Sequence, residues 1–314
     1  MKIVTITEND VAEYVAQVEA GKKGHIDFGT HEDIFQELLE RRKRIAEGIG
    51  VELLPKIWPV MCQYFGGLRS EDLCVVTGDS GRGKTTFVLR YMLSLLQQGY
   101  PALLFSMEEG FSNLSKRIGE MVLGSPEKSW DAMTVGNYKT LTDSVAPIYV
   151  FRPGGPTSEG TIFNAMKYAL YKYNIRFIVI DNLSFVRFEQ RHGRTEAVAI
   201  KLFLSNLTGF SEGMACPIIL IAHPRSGQDK GYVEREVGMD EMKGSSDIKQ
   251  LAHTVISLFP VKDITAIRFQ KIRCSDYAAN RGKCITFTYD HRRSLLSEAC
   301  NRPQELKKKG DTND

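Results

Sequence analysis

Apolar and polar positions along this chain follow two periods in turn. From residue 73 onward, short and nearly continuous apolar runs occupy 74–77, 102–107, 148–151, 177–180 and 218–222. Between them lie stretches with helical spacing of the apolar residues: 85–98, 111–123, 161–173 and 195–210. Runs of that length without alternation predict strands covered on both faces. The repeated strand–helix order then predicts an α/β fold, a mainly parallel sheet flanked by helices. In 85–98 the inward stripe is Val88, Met92, Leu95 and Leu96, with Gly99 just past the end as a stop. Three further strand-like runs follow a long polar segment, at 255–259, 265–269 and 285–289.

Ahead of this pattern stand a β-prone start and a helix near 11–19 that stops at Gly21. A second helix over 32–47 carries Ile34, Leu38, Leu39 and Ile45 on one side and the run Glu40-Arg-Arg-Lys-Arg44 on another. Both a solvated surface helix and a linker that docks on a neighbouring subunit fit that pattern. The expected layout is a small helical N-terminal segment with this linker over 1–50, one large domain over 51–300, and a disordered tail over 301–314 containing Lys307-Lys-Lys309.

Composition changes this picture little. With 314 residues, 42% hydrophobic and 25% charged, the chain reads as soluble and globular. No apolar run approaches membrane-spanning length, so a membrane partner is not expected. Glu8, Asp10 and Glu13 interrupt the N-terminus, which argues against a secretory or transit signal and fits a cytoplasmic protein. A formal charge of +3 is too small to identify a nucleic-acid partner by itself. The six cysteines form no C-x-x-C pair and read as free thiols.

The candidate chemistry begins at Leu73-Cys-Val-Val-Thr-Gly-Asp-Ser-Gly-Arg-Gly-Lys-Thr-Thr86. A strand breaking into glycines and then into Lys-Thr at the head of a helix fits the phosphate-binding loop, G-x-x-x-x-G-K-[ST], on Gly78, Gly83, Lys84 and Thr85. Backbone N–H groups of Gly78, Asp79, Ser80, Gly81, Arg82 and Gly83 would curl round the β-phosphate, with Thr86 just behind. Lys84 would neutralise the β- and γ-phosphates, and the Thr85 hydroxyl would complete a Mg²⁺ shell. The expected cofactors are therefore ATP, or another NTP or dNTP, with Mg²⁺.

In such sheets ligands collect beyond the carboxyl ends of the strands. Glu108 and Glu109 follow one strand, Asp181 another and His223 a third. Asp181 fits the second metal-positioning carboxylate, and Glu108 or Glu109 the base that orients the attacking water. His223 is placed to donate to the γ-phosphate, although a lone histidine also serves as a plain structural hydrogen bonder. Two stretches could meet nucleic acid. Residues 183–197 set Arg187, Arg191 and Arg194 beside Phe185 and Phe188. Residues 224–249 carry Arg225, Lys230 and Lys243, but their five bases face six acids. Further on, Lys271-Ile-Arg273 leaves a strand with both bases on one side.

Several stretches in order resemble the RecA-like motor of DnaB-like hexameric replicative helicases, and most of all the helicase half of phage primase–helicases and Twinkle. They are Val76-Thr-Gly-Asp-Ser-Gly-Arg-Gly-Lys-Thr-Thr-Phe-Val88, Phe105-Ser-Met-Glu-Glu109, Ile178-Val-Ile-Asp181, Ile221-Ala-His-Pro-Arg225, 243–256 and Lys271-Ile-Arg273. The resemblance implies a RecA-like P-loop NTPase core and selects Glu108 over Glu109 as catalytic carboxylate. It implies Asp181 on the Mg²⁺ side, His223 as γ-phosphate sensor, and Lys271 and Arg273 acting on a neighbour's ATP. Arg225, Lys230 and Lys243 fall on positions that touch single-stranded DNA. The implied activity is an ATP-dependent DNA helicase working as a homo-oligomeric, hexameric ring at a replication fork, with a primase, polymerase or single-strand-binding protein as further partners. A RecA- or RadA-like recombination ATPase and an ATP-gated loader or scaffold are the rival readings. The chain departs from the family at His253, where an acid is usual.

Overall fold

The computed structural model describes residues 2–20, 52–106, 110–123, 145–153, 155–188, 195–224, 236–242, 245–290 and 295–306. Twelve strands occur among them: β1 (Ile3–Ile6), β2 (Leu73–Thr77), β3 (Ala102–Ser106), β4 (Ile148–Phe151), β5 (Thr157–Ser158), β6 (Phe177–Asp181), β7 (Val186–Arg187), β8 (Ile218–Ala222), β9 (Thr254–Val261), β10 (Ile264–Ile272), β11 (Cys284–Asp290) and β12 (Leu295–Glu298). The helices are α1 (Glu8–Glu19), α2 (Pro59–Phe65), α3 (Lys84–Leu96), α4 (Phe111–Leu123), α5 (Glu159–Tyr173), α6 (Glu196–Met214) and α7 (Ser245–Leu251).

Ten of the strands form one sheet in the order β1-β4-β3-β6-β8-β2-β9-β10-β11-β12. Pairing is parallel from β1 through β9 and antiparallel from β9 to β12. β5 and β7 make a separate two-stranded ribbon. The central strands β2, β3, β6 and β8 are buried at every position, which explains their unbroken apolar runs.

Two cores cover the two faces. On one, α2, α3 and α4 pack Trp58, Phe87, Met92 and Ile118 against Val76, Leu104 and Val179. On the other, α1, α5, α6 and α7 pack Val11, Ile162, Phe203 and Ile248 against Val75, Phe105 and Leu220. Full burial of such a side chain stabilises by about 1.5–3 kcal/mol. Trp58 shows how the far edge is held: it stacks on Phe87 with centroids 5.0 Å apart, and its Nε1 donates to the Leu296 carbonyl of β12 at 3.0 Å.

The structure revises the sequence reading in three places. β1 precedes β2 and joins the sheet beside β4, and α1 packs on α5, so residues 3–19 are built into the large domain's own sheet and core. The polar stretch before β9 contains a 3-10 turn, Met239–Glu241, and α7. Residues 301–306, expected to be disordered, lie against the sheet. Cys284 and Gln304 exchange two backbone hydrogen bonds of 2.8 Å, and the Leu306 carbonyl accepts from Arg268. The helix expected over 32–47 and the tail beyond 306 lie outside the described residues. Among the described residues no helix is long and apolar enough to cross a membrane. Burial pushes the thiols of Cys62 and Cys284 up to about 11.

Candidate functional site

β2 and β8 are neighbours, but their outgoing chains lead to helices on opposite faces, α3 and α7. Such a switch opens a crevice beyond the carboxyl ends of the strands. The crevice holds a cavity of about 450 Å³ lined by Ser80, Gly81, Arg82, Gly83, Lys84, Thr85, Thr86, Gly110, Asn113, Arg117, Asp181 and His223.

The loop is shaped by contact with β9. Gly78 has φ 155°, and a Cβ there would stand 2.6 Å from the Leu258 carbonyl oxygen, so only glycine lets the two backbones close. Gly83, at φ 81°, turns the chain into α3 and offers no side-chain cap. The amides of that first turn are therefore left to an incoming anion. Lys84 is 5% exposed, and its Nζ donates to the Gly78 and Asp79 carbonyls, both at 2.9 Å. Gly78 and Asp79 thus anchor the lysine from beneath the cavity. The Thr85 hydroxyl donates to Asp181 Oδ2 at 2.9 Å, which brings the two expected cation ligands together at the end of β6. A hydroxyl beside a carboxylate is a hard oxygen pair that suits Mg²⁺, whose remaining ligands are usually phosphate oxygens and water.

Of the site residues expected from sequence, Ser80, Gly81, Arg82, Gly83, Lys84, Thr85, Thr86, Asp181 and His223 share the cavity. Glu108 and Glu109 lie outside the described residues, as do Arg225, Lys230 and Lys243. Arg187 is exposed on the β5–β7 ribbon, beyond the carboxyl end of β6. Sequence reasoning missed Asn113 and Arg117. Arg117 donates to the Thr86 hydroxyl and lines the cavity from α4. The available signal was helical spacing, since positions 113 and 117 share one face of the helix that follows β3. A second cavity of about 510 Å³ shares Gly81, Arg82, Gly83 and Thr86, and extends along Phe259, Pro260, Lys262, Tyr289 and Leu296.

Lys271 and Arg273 are elsewhere. Ile272 of β10 is level with Thr254, and Thr254 with Cys74, so both bases sit at the amino ends of the parallel strands. A register shift between Phe269 and Lys271 makes Gln270 a bulge. Ile267 and Phe269 face the first core, and after the bulge it is Ile272 that does so. Lys271, which simple alternation would have buried, is thereby turned to the α7 side. Its Nζ donates to the Lys249 and Gln250 carbonyls, and Arg273 donates to that of Gln250. Burial, Arg273 and Arg281 lower Lys271 to about 8. His253 sits between them: its Nδ1 accepts from the Leu73 amide at 3.1 Å. Glu212 lies 3.8 Å from Nε2, yet burial and the two cations outweigh it and lower the imidazole to about 4.

A family model described as AAA domain matches residues 61–229, more than half of the chain. The chain belongs to the AAA domain family. Among relatives of this AAA domain, the Gene 65 protein of Mycobacterium phage L5 is 25% identical over 228 residues, 71% of this chain and 82% of its own length. The Twinkle homolog protein, chloroplastic/mitochondrial, of Arabidopsis thaliana is 26% identical over 168 residues, which is 50% of this chain but only 24% of that protein. One solved ATPase domain shares the fold with a TM-score of 0.65 at 14% identity, over 86% of this chain and 99% of that one. A DnaB-like replicative helicase, solved in a study of its interactions with primase, gives 0.64 at 14% identity over 92% and 71%. The RecA-like P-loop fold expected from the motifs is therefore the fold of this chain.

Proposed function

We propose that the chain is the motor of an ATP-dependent replicative DNA helicase. Copies assemble into a ring, hydrolyse ATP or another NTP at their interfaces, and move along single-stranded DNA to unwind a fork. Lys84 and the amides at the head of α3 hold the phosphates, with Arg82 and Arg117 at the cavity wall adding positive charge. Thr85 and Asp181 would hold Mg²⁺, which would supply positive charge to offset that of the phosphates. Glu108 takes the proton of the attacking water, and His223 donates to the γ-phosphate. The second cavity, with Tyr289 and Phe259, takes the nucleobase. Arg187, Arg225, Lys230 and Lys243 contact the strand, and the segment 32–47, helical by its sequence pattern, docks on the adjacent subunit. A primase, polymerase or single-strand-binding protein would join at the fork.

The observation that carries this reading is the distance between the halves of the site. Lys271 and Arg273 sit at the end of the sheet opposite Lys84, on the order of 15 Å away along β2. They cannot reach the chain's own nucleotide, and among the described residues neither pairs with a carboxylate. Two cations so placed fit the arginine-finger role on another copy's γ-phosphate.

The test is ATPase activity with and without single-stranded DNA, on protein whose oligomer size is measured with ATP and Mg²⁺, beside fork-unwinding and strand-exchange assays. A ring stimulated by single-stranded DNA and active on forks is expected. A DNA-insensitive monomer would overturn the reading, and strand exchange without unwinding would turn it toward a recombination ATPase.

A further inference from the structure

The bulge that aims Lys271 and Arg273 is held by a buried polar cluster outside the nucleotide site. Glu236 Oε1 accepts from Ser257 Oγ at 2.8 Å and from Gln270 Nε2 at 2.9 Å, and its Oε2 accepts from Arg268 Nε at 2.8 Å. Gln270 Nε2 also donates to the Val237 carbonyl at 2.7 Å. Arg268 directs its other nitrogens to the carbonyls of Gly282, at 2.6 Å, and Leu306, at 2.7 Å. The Arg268 and Glu236 side chains are 9% and 10% exposed. All three donors to the carboxylate come from β9 and β10, and one of them is the bulge residue itself.

We propose that Glu236 is a positioning residue for the trans-acting pair: by gripping Gln270 and Arg268 it fixes the bulge in β10 and thereby the direction of Lys271 and Arg273. The inference rests on the reading that those two bases complete a neighbour's site. A buried ion pair contributes little net stability compared with well-packed apolar residues, so a cluster like this one is better explained by the single geometry it specifies. The alternatives it excludes are concrete. Without the bulge, β10 alternation would send Lys271 toward the core with Ile267 and Phe269. The same segment is clamped at its other end too. Lys271 and Arg273 bond the last carbonyls of α7, and Lys249 pairs with Asp240. Residues 236–242 and 245–251 therefore close against β10 at both ends, with the bulge in the middle.

The experiment uses full-length protein assembled with ATP and Mg²⁺. Glu236→Gln is expected to lower ATPase turnover about a hundredfold, the scale of a misplaced catalytic group, with nucleotide affinity and oligomer size unchanged. Gln270→Ala removes the amide and keeps the ion pair; it should act in the same direction and serves as the probe if Glu236→Gln does not fold. The decisive readout is mixing. Glu236→Gln has an intact phosphate loop, and Lys84→Ala has intact trans cations, so mixed assemblies should regain activity that neither shows alone. A merely structural defect would not be rescued that way. Parental turnover in both cluster variants would overturn the proposal. So would slow turnover that Lys84→Ala fails to rescue while it does rescue Arg273→Ala. If Arg273→Ala itself is not rescued, the trans reading beneath the proposal has failed.

Discussion

The two ends of the sheet are built for positive charge by different means. At the carboxyl ends, recognition is fixed in the backbone: Gly78 packed on Leu258, the uncapped first turn of α3, and Lys84 held by two loop carbonyls. At the amino ends the positive charge resides in two side chains, Lys271 and Arg273, which rest on the terminal carbonyls of α7 around a neutral His253. The first end is preorganised for a phosphate chain. The second is a store of positive charge that has no counterpart on its own subunit among the described residues. On the proposed reading each end is half of a site, and the difference gives a reason for an active unit of more than one copy.

The strongest way to break that contrast is Arg273→Ala. If the amino end serves a neighbour, turnover should fall about a thousandfold or more, because a trans arginine stabilises charge that appears only in the transition state. Binding of a fluorescent ATP analogue should stay within a fewfold of the parent, since the phosphate loop lies at the far end of β2. Retained hydrolysis, measured in single-turnover experiments on the assembled protein, would reduce the amino end to a surface feature.

A smaller effect comes from the other base. Burial, Arg273 and Arg281 bring Lys271 to about 8, so it loses its proton as the pH rises through that value. Only the charged form can neutralise a neighbour's phosphate. The profile of kcat/KM, which reports ionisations of the free enzyme, should therefore fall about tenfold from pH 7 to pH 9. Lys271→Arg keeps its charge across that range and should flatten the alkaline limb whatever its absolute rate. A limb unchanged in Lys271→Arg would show that some other group titrates.

The contrast also separates what could be read from the chain itself. The carboxyl end was legible because its parts are local. The phosphate loop is one contiguous stretch, and the strands that deliver Asp181 and His223 announce themselves as buried apolar runs. Parts set by long-range pairing were not. Ile3–Ile6 was legible as a β-prone start but not as a strand paired with Ile148–Phe151, and residues 301–306 are ordered by partners on β10 and β11. Arg117 was hidden because its role depends on which way α4 faces. At the amino end the spacing of Lys271 and Arg273 gave their shared side, but no periodicity reveals the bulge at Gln270 that decides which side it is.

His253 gives the finest probe, because its titration is lowered by burial first and then by the positive field of Arg273 and Lys271. Its folded value of about 4 lies below the 6.5 of the unfolded chain. The unfolded state therefore takes up the proton first as the pH falls. Stability from this group is complete above about 6.5 and is lost as the pH drops from there toward 4. Between pH 7 and pH 5 that amounts to at most about 2 kcal/mol, less whatever solvent screening removes around the partly exposed ring. His253→Asn keeps an acceptor for the Leu73 amide and removes the titration, so its melting temperature should fall less than the parent's over the same interval. Arg273→Ala should narrow the gap from the other direction by raising the histidine toward its ordinary value. If the two variants and the parent lose stability in parallel, the cations at this end exert no field on His253, and the contrast between a fixed backbone site and a concentrated positive patch loses its electrostatic half.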